Sequence, residues 1–282
     1  MNKKHLILTV ITLTLLAAIG YQTVFTVPKH EQLSSISGDG VELSLKCYNN
    51  TQAKTLDREQ RINVLVWNIY KQNRDNWKNE LAELSQSAQL VLLQEASMTP
   101  DLQQWIDQQG WFGSQVDAFK AFDATAGVLN LSLDTPNLAC AYTELEPWLR
   151  LPKSALYATY PLSDGSELAV VNIHAVNFTY GTEEYHRQLS TLVEELLSHE
   201  GPIIVAGDFN SWSESRLQVM KQALERVGLL EATYGIDNRT QFITGLPLDH
   251  VFYRGLEQIK AEALISSASD HNPILVSFKL KP

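Results

Sequence analysis

Apolar residues fall into three patterns along this chain, and each predicts a different kind of element. Runs of successive apolar residues, Val91-Leu92-Leu93 and Pro202-Ile203-Ile204-Val205-Ala206, predict strands covered on both faces, as in a sandwich interior. Short stretches rich in β-branched and aromatic residues predict strands over 62–67, 90–94, 155–160, 168–173, 203–206, 251–254 and 274–280. Between them, Trp77, Leu81 and Leu84 recur at helical spacing, and so do Leu189, Leu192, Val193, Leu196 and Leu197 ahead of Gly201 and Pro202. This alternation, with no internal repeat and no low-complexity tract, predicts an α/β domain.

The third pattern is the N-terminal segment, where Lys3, Lys4 and His5 precede an almost wholly apolar stretch from Leu6 to Gly20 that Tyr21–Val27 extends to bilayer-spanning length. Two readings stand. It is an uncleaved anchor, or a signal segment cut after Gly20, where Ala18 and Gly20 supply the small residues. Either way the basic flank stays cytoplasmic and the rest lies outside, inner-membrane-anchored or secreted into the periplasm; a cytoplasmic product is the alternative. Pro28, Ser34, Ser35, Ser37, Gly38, Asp39 and Gly40 then suit a linker with at most one short strand near Val41–Leu45. The expected organisation is a membrane segment over 1–27, a linker over 28–60 and a catalytic domain over 61–282.

Composition narrows the partners. A net charge of −10 in 282 residues, 44% of them hydrophobic, fits a well-buried core and argues against a broad electrostatic grip on nucleic acid. The acidity belongs to the domain, because the first sixty residues hold six basic and five acidic side chains. Cys47 and Cys140 are too few for a zinc cluster, and a single disulfide or two free thiols both remain open.

The candidate chemistry lies where strands give way to loops. There the chain carries Asn68 in Trp-Asn-Ile-Tyr-Lys, Glu95 in Leu-Leu-Gln-Glu-Ala and His174 in Val-Asn-Ile-His. Asp208 and Asn210 follow in Ala-Gly-Asp-Phe-Asn-Ser-Trp, Asp249 in Pro-Leu-Asp-His-Val-Phe, and Asp270 and His271 in Ser-Asp-His-Asn-Pro. Strand ends converge in α/β domains, so these groups can share one site. Hard oxygen donors favour Mg²⁺ or Mn²⁺, with Glu95 the first metal-binding carboxylate and Asn68 and Asp270 beside it. A neutral imidazole suits His271 as general base, while His250, on the other face of an extended segment, is a bystander. Each residue also has an ordinary reading: a helix-terminal charge for Glu95, a turn cap for Asn68, turn formers for Asp249 and Asp270, a core histidine for His174.

Taken in this order, the motifs from Arg61 to Lys279 resemble the endonuclease/exonuclease/phosphatase superfamily, which includes pancreatic deoxyribonuclease, neutral sphingomyelinases and inositol polyphosphate 5-phosphatases. Val-Trp-Asn-Ile-Tyr-Lys-Gln, Val-Asn-Ile-His-Ala-Val-Asn-Phe and Ala-Ser-Asp-His-Asn-Pro look like the YafD group within it. The resemblance implies a four-layer α/β/β/α sandwich, two packed mixed sheets flanked by helices, and metal-dependent hydrolysis of phosphoesters. It also implies that Asp249 orients His271, and that Asp208 handles either the attacking water or the leaving group. Asn210 would donate to the transition state, and His174 would contact phosphate and protonate the leaving oxygen. Asn177 and Lys71 are further candidates for holding phosphate. The expectation is a monomeric Mg²⁺- or Mn²⁺-dependent phosphodiesterase, nuclease-like in mechanism, with a phosphomonoesterase or phospholipase-type member as the alternative. Nucleic acid, a phospholipid head group or a small phosphodiester could be the substrate, with Trp111, Phe112 and Trp148 as candidate apolar contacts. An inactive membrane-tethered binding domain is a remote third reading, since none of the candidate catalytic groups is missing.

Overall fold

The apolar runs form the interior strands of two facing sheets. In a computed structural model that describes residues 3–38 and 40–281, the larger sheet centres on Arg61–Asn68, which pairs parallel with Leu90–Ser97 and antiparallel with Ile274–Leu280. It continues through Leu256–Ala263 to Ile236–Asp237 on one side, and through Ala124–Ser132 and Phe112–Val116 on the other. The smaller sheet runs Leu230–Glu231, Asp249–Arg254, Ile203–Asp208, Glu167–His174, Pro152–Pro161, Leu138–Leu145 and Cys47–Asn49.

Alternate side chains explain the layers, because successive residues of a strand point to opposite faces. Val64, Val66, Leu90 and Leu92 meet Leu156, Val170, Ile204 and Ala206 between the sheets. On the outer face of the larger sheet, Leu65, Val91 and Leu93 pack against Trp77 and Leu81 of helix Trp77–Ser85 and against Leu102, Trp105 and Ile106 of helix Pro100–Gln109. Val171, Ile173 and Val205 pack outward against helices Glu183–Leu197 and Glu214–Glu225. The result is the α/β/β/α sandwich.

Residues 28–60 differ from expectation. Instead of a tether with at most one strand, Gln32–Ser37 pairs with Phe112–Val116, Gly40–Leu45 pairs with Gln32–Ser37, and Cys47–Asn49 pairs with Leu138–Leu145. Composition misleads because the serines are themselves in the sheet: Ser34 is buried and its hydroxyl donates to the Asp117 carboxylate at 2.9 Å, while Leu33 and Ile36 enter the cores. Cys47 stands opposite Cys140 in register, and the two form a disulfide that closes 93 residues of chain. It joins the N-terminal strands to the smaller sheet.

Helix Lys3–Val24 leaves the sandwich beside strand Phe119–Ala121, and the stretch from His5 to Val24 is not buried against the rest. A cross-link over a loop of this length stabilises chiefly by restricting the unfolded chain, by about 2–4 kcal/mol. Cys47→Ala with Cys140→Ala should therefore lower the unfolding free energy by about that amount in a denaturant titration. An unchanged midpoint would show that the bridge constrains nothing.

Candidate active site

Three adjacent strands of the smaller sheet bring their polar residues into one row. His174 pairs with Asp208 across the parallel strands, and Asp208 pairs with Asp249 across the antiparallel ones. Asp249 thus opens its strand, unlike the others, yet reaches the same edge. The facing sheet contributes Asn68, whose amide donates to Asp208 Oδ2 at 3.0 Å. The Asp208 and Asp249 side chains are nearly inaccessible, so each needs partners to offset lost hydration.

His271 supplies one. Its Nδ1 lies 2.8 Å from Asp249 Oδ2, and its Nε2 lies 3.9 Å from Asp208 Oδ2. The loop before strand Ile274–Leu280 is fixed from both ends: Trp67 Nε1 donates to the His271 carbonyl at 2.8 Å, and the Ser269 hydroxyl donates to the Asn68 carbonyl at 2.6 Å. Burial alone would pull the imidazole down, but the Asp249 and Asp208 carboxylates, with Asp270 behind them, outweigh it and push His271 up to about 10. In the cation-free protein it is an imidazolium at neutral pH.

Glu95 reaches the cluster through a bulge. Leu93 and Ala96 pair with Leu129 and Gly127, so Gln94 and Glu95 together oppose one residue, and Glu95 takes a left-handed φ of 52°. Gln94 turns inward to Asn172, at 2.7 Å, while the Glu95 carboxylate turns into the site. A left-handed turn at Tyr70, Lys71 and Gln72 brings the Lys71 ammonium onto Glu95 Oε2. Lys153 lies 3.9 Å from Glu95 Oε1 and 2.9 Å from His174 Nε2. Burial would raise Glu95, yet Lys153 and Lys71 more than compensate and hold it below its usual range, ionised. His174 is driven the other way. Burial first, then Lys153, lowers it well below 6.5, so its neutral Nε2 accepts from the lysine and the ring proton sits on Nδ1.

These carboxylates suit a hard divalent cation, since Glu95 is ionised and the cluster holds more acidic groups than its lysines offset. Asp208, Asp249 and His271 also lie close enough together to hold an ion, their ligand atoms falling within 4.8 Å of one another. The hydrogen bond between Asp249 and His271 fits an orienting pair better, because magnesium takes oxygen in preference to imidazole.

A sequence model of the Endonuclease/Exonuclease/phosphatase family matches residues 65–271. The chain belongs to that family. A UPF0294 protein of Vibrio cholerae is 58% identical over 269 residues, 94% of this chain and 96% of its own length. Among solved structures, an endonuclease/exonuclease/phosphatase from Bacteroides vulgatus superposes with a TM-score of 0.64 at 17% identity, over 79% of this chain and all of that one. The protein of the same description from Beutenbergia cavernae gives 0.63 at 16%, over 79% and 72%. Membership makes the chain a hydrolase of phosphoesters and the fold that of this family.

Within this endonuclease/exonuclease/phosphatase domain, the structure brings together Asn68, Lys71, Glu95, His174, Asp208, Asp249 and His271. Asp270 sits at the surface beside His271 and touches only the Ser269 hydroxyl, at 3.4 Å, among the described hydrogen bonds. Asn210 departs from the extended geometry expected of it. Its φ is 46°, its backbone N–H donates to Asp208 Oδ1 at 2.9 Å, and its side-chain amide donates to the Ala175 carbonyl at 2.9 Å. Asn177 accepts from Trp212 Nε1 at 2.8 Å. His250 faces away, toward Ser211 and Glu231 at 2.8 and 2.6 Å. Trp111 is core, Phe112 packs on Tyr48, and Trp148 is exposed. Lys153 and Ser269 went unread, since neither ends an apolar run.

NMR titration of the cation-free protein should find His271 protonated through neutral pH, releasing its proton only near pH 10, while His174 stays neutral from well below 6.5 upward. Asp249→Asn should move the His271 midpoint down. A midpoint near 6.5 before substitution would contradict this electrostatic account.

Proposed function

We propose that this chain is a phosphodiesterase dependent on Mg²⁺ or Mn²⁺, with its domain held outside the cytoplasm by the N-terminal helix. One observation carries the reading: an oriented imidazole, His271 on Asp249, lies within the same cluster as an ionised carboxylate flanked by two lysines, Glu95 with Lys71 and Lys153. The first arrangement can move a proton, and the second can hold phosphate oxygens.

In this reading His271 takes the proton of the attacking water at Nε2, and Asp249 fixes the tautomer and supports the imidazolium that forms. Asp208 lies between His271 and His174 and orients the water. Lys71 and Lys153 take the non-bridging oxygens, and neutral His174 keeps Lys153 in place. Glu95, with Asp208 and the Asn68 carboxamide, would hold the cation. When bound, the cation supplies positive charge that polarises the phosphate and offsets the carboxylates keeping His271 protonated. Asn210 holds the Asp208 loop.

A diester is favoured over a monoester because, with the same cation and the same two lysines to balance either, its single charge meets less repulsion from Glu95, Asp208 and Asp249 than a dianion's two. The position outside the cytoplasm is supported by the Cys47–Cys140 bridge, a bond that persists in oxidising compartments. The helix from His5 to Val24 has the length and hydropathy of a bilayer span.

With bis(p-nitrophenyl) phosphate as substrate, chelation should abolish turnover and added Mg²⁺ or Mn²⁺ should restore it. His271→Ala should slow turnover by roughly 10²–10⁴-fold with the fold unchanged by circular dichroism, and Glu95→Gln should raise the cation concentration required. Full activity in the presence of excess chelator would refute the cation dependence. In cell fractionation the full-length protein should resist extraction from membranes by alkaline carbonate, and recovery in the soluble fraction would refute the anchor.

A further inference from the structure

The cavity beside the catalytic cluster opens at the foot of the apolar helix, and no slack separates the two. Phe25 and Thr26, the first residues after helix Lys3–Val24, pair with Ala121 and Lys120. The Phe122 amide donates to the Val24 carbonyl at 2.7 Å, and the Tyr21 hydroxyl donates to the Leu149 carbonyl at 3.0 Å. The Phe25 and Phe119 rings meet edge to face at 6.1 Å. Phe119 and Leu149 are themselves walls of a cleft of about 130 Å³, together with Leu151 and Pro152, and Lys71, Glu95, Lys153 and His174 also line it. The residues that tie down the helix therefore also shape the way into the site.

The 20 residues from His5 to Val24 span about 30 Å as a helix, the thickness of a bilayer's hydrocarbon core. Were the helix inserted in a bilayer, the strand pairing at Phe25 would put the cleft mouth near the lipid head groups. The surrounding surface suits that level. Phe122 is 74% exposed, Trp148 57% and Tyr180 77%, with the last two rings 4.6 Å apart, and Phe178 and Leu149 are exposed nearby in sequence. Aromatic side chains with one polar and one apolar end favour the membrane interface, and a cluster of them has no such benefit in water.

Resting on the phosphodiesterase reading, we propose that the substrate is a glycerophospholipid of the membrane the helix enters, bound with its glycerol end against the apolar wall and released as diacylglycerol. The direction follows from in-line displacement, in which attacking and leaving oxygens stand on opposite sides of phosphorus. His271, which takes the water's proton, does not line the cleft, whereas His174, Glu95 and both lysines do. The leaving oxygen therefore belongs on the cleft side, beside Phe119, Leu149, Leu151 and Pro152. The water oxygen bonds to phosphorus as the bond from phosphorus to the glycerol oxygen breaks. One water proton passes to His271 and on to solvent, and the departing alkoxide takes a proton from solvent. The products are diacylglycerol and the phosphorylated head group, while the acyl chains never leave the bilayer.

Full-length protein in vesicles of phosphatidylethanolamine and phosphatidylglycerol, supplied with Mg²⁺, should release diacylglycerol, and the same preparation should hydrolyse bis(p-nitrophenyl) phosphate from solution. Phe122→Asp, and separately Trp148→Asp with Tyr180→Asp, should reduce lipid cleavage at least tenfold relative to soluble-diester cleavage by the same variant. Hydrolysis of the soluble diester with no cleavage of either lipid would overturn the substrate class and leave the phosphodiesterase reading standing. Phosphatidate in place of diacylglycerol would overturn the assigned direction. Loss of both activities would remove the phosphodiesterase reading itself.

Discussion

The Asp208 carboxylate must be paired where it lies, and its partners come from both sheets. A carboxylate this deep is unaffordable without compensation. Asn68 reaches it from the facing sheet at 3.0 Å, the Asn210 backbone amide donates from its own loop at 2.9 Å, and the His271 imidazolium stands at 3.9 Å. Sheet packing and site electrostatics are thus one constraint. Two neighbouring features hold that register. Gln94, Asn172 and Asn130 form a buried polar bridge between the sheets at 2.7 and 2.9 Å. Gly207, immediately before Asp208, has a φ of 139°, and a Cβ there would fall 2.0 Å from the Ile173 carbonyl oxygen. Only glycine lets those strands approach so closely at the row carrying His174 and Asp208.

On the other side of the cleft the same problem is solved with lysines and backbone strain. Glu95 and the consecutive residues Tyr70, Lys71 and Gln72 all hold left-handed φ values, each costing on the order of 1–2 kcal/mol. Such strain persists where surrounding structure fixes it and is often found at functional sites. Here it aims Glu95 out of a sheet whose adjacent residue, Gln94, is committed to the core, and it folds Lys71 back over the carboxylate. Lys153 completes the arrangement from the smaller sheet. It acts on two neighbours at once, helping Lys71 keep Glu95 ionised and adding to the burial that keeps His174 neutral. One cation therefore favours the charged form of one neighbour and the neutral form of the other.

Much of this was legible in the sequence because the fold is written in long apolar runs. Ile62–Trp67 and Ile203–Ala206 lie within observed strands, and polar residues at their ends marked Asn68 and Asp208. The strands Phe112–Val116, Ala124–Ser132, Leu138–Leu145 and Leu256–Ala263 went unread, since Gly, Ser, Gln, Glu and Lys interrupt their apolar pattern. Helices Pro100–Gln109 and Glu214–Glu225 carry end signals that went unused: Thr99 caps Leu102 ahead of Pro100, Gly110 closes that helix with φ 72°, and Ser213 caps Arg216. The N-terminal strands were hidden for another reason. Ser34, Ser35 and Gly40 resemble a linker in composition, yet Ser34 is held by Asp117, a partner 83 residues away. No local pattern reveals such pairing, nor the positive φ that aims Glu95, nor that Lys153 faces it.

The placement of charge also bears on how phosphate is selected. A domain this acidic repels polyanions at a distance, and salt weakens that repulsion over roughly 10 Å at 0.1 M ionic strength. In the cation-free protein, positive charge at the site comes from Lys71 and Lys153 beside Glu95 and from the His271 imidazolium on Asp249, and it is felt only at contact. A long nucleic acid would have to bring many phosphates against an acidic surface to place one between these lysines, without the spread of basic contacts that normally provides affinity. A substrate with one phosphate and an apolar remainder pays far less of that repulsion, and its apolar part gains from the wall of Phe119, Leu149, Leu151 and Pro152. On the proposed lipid substrate, the charge distribution and the apolar wall act in the same sense, because the helix that precedes Phe25 meets the domain beside the cleft that holds both.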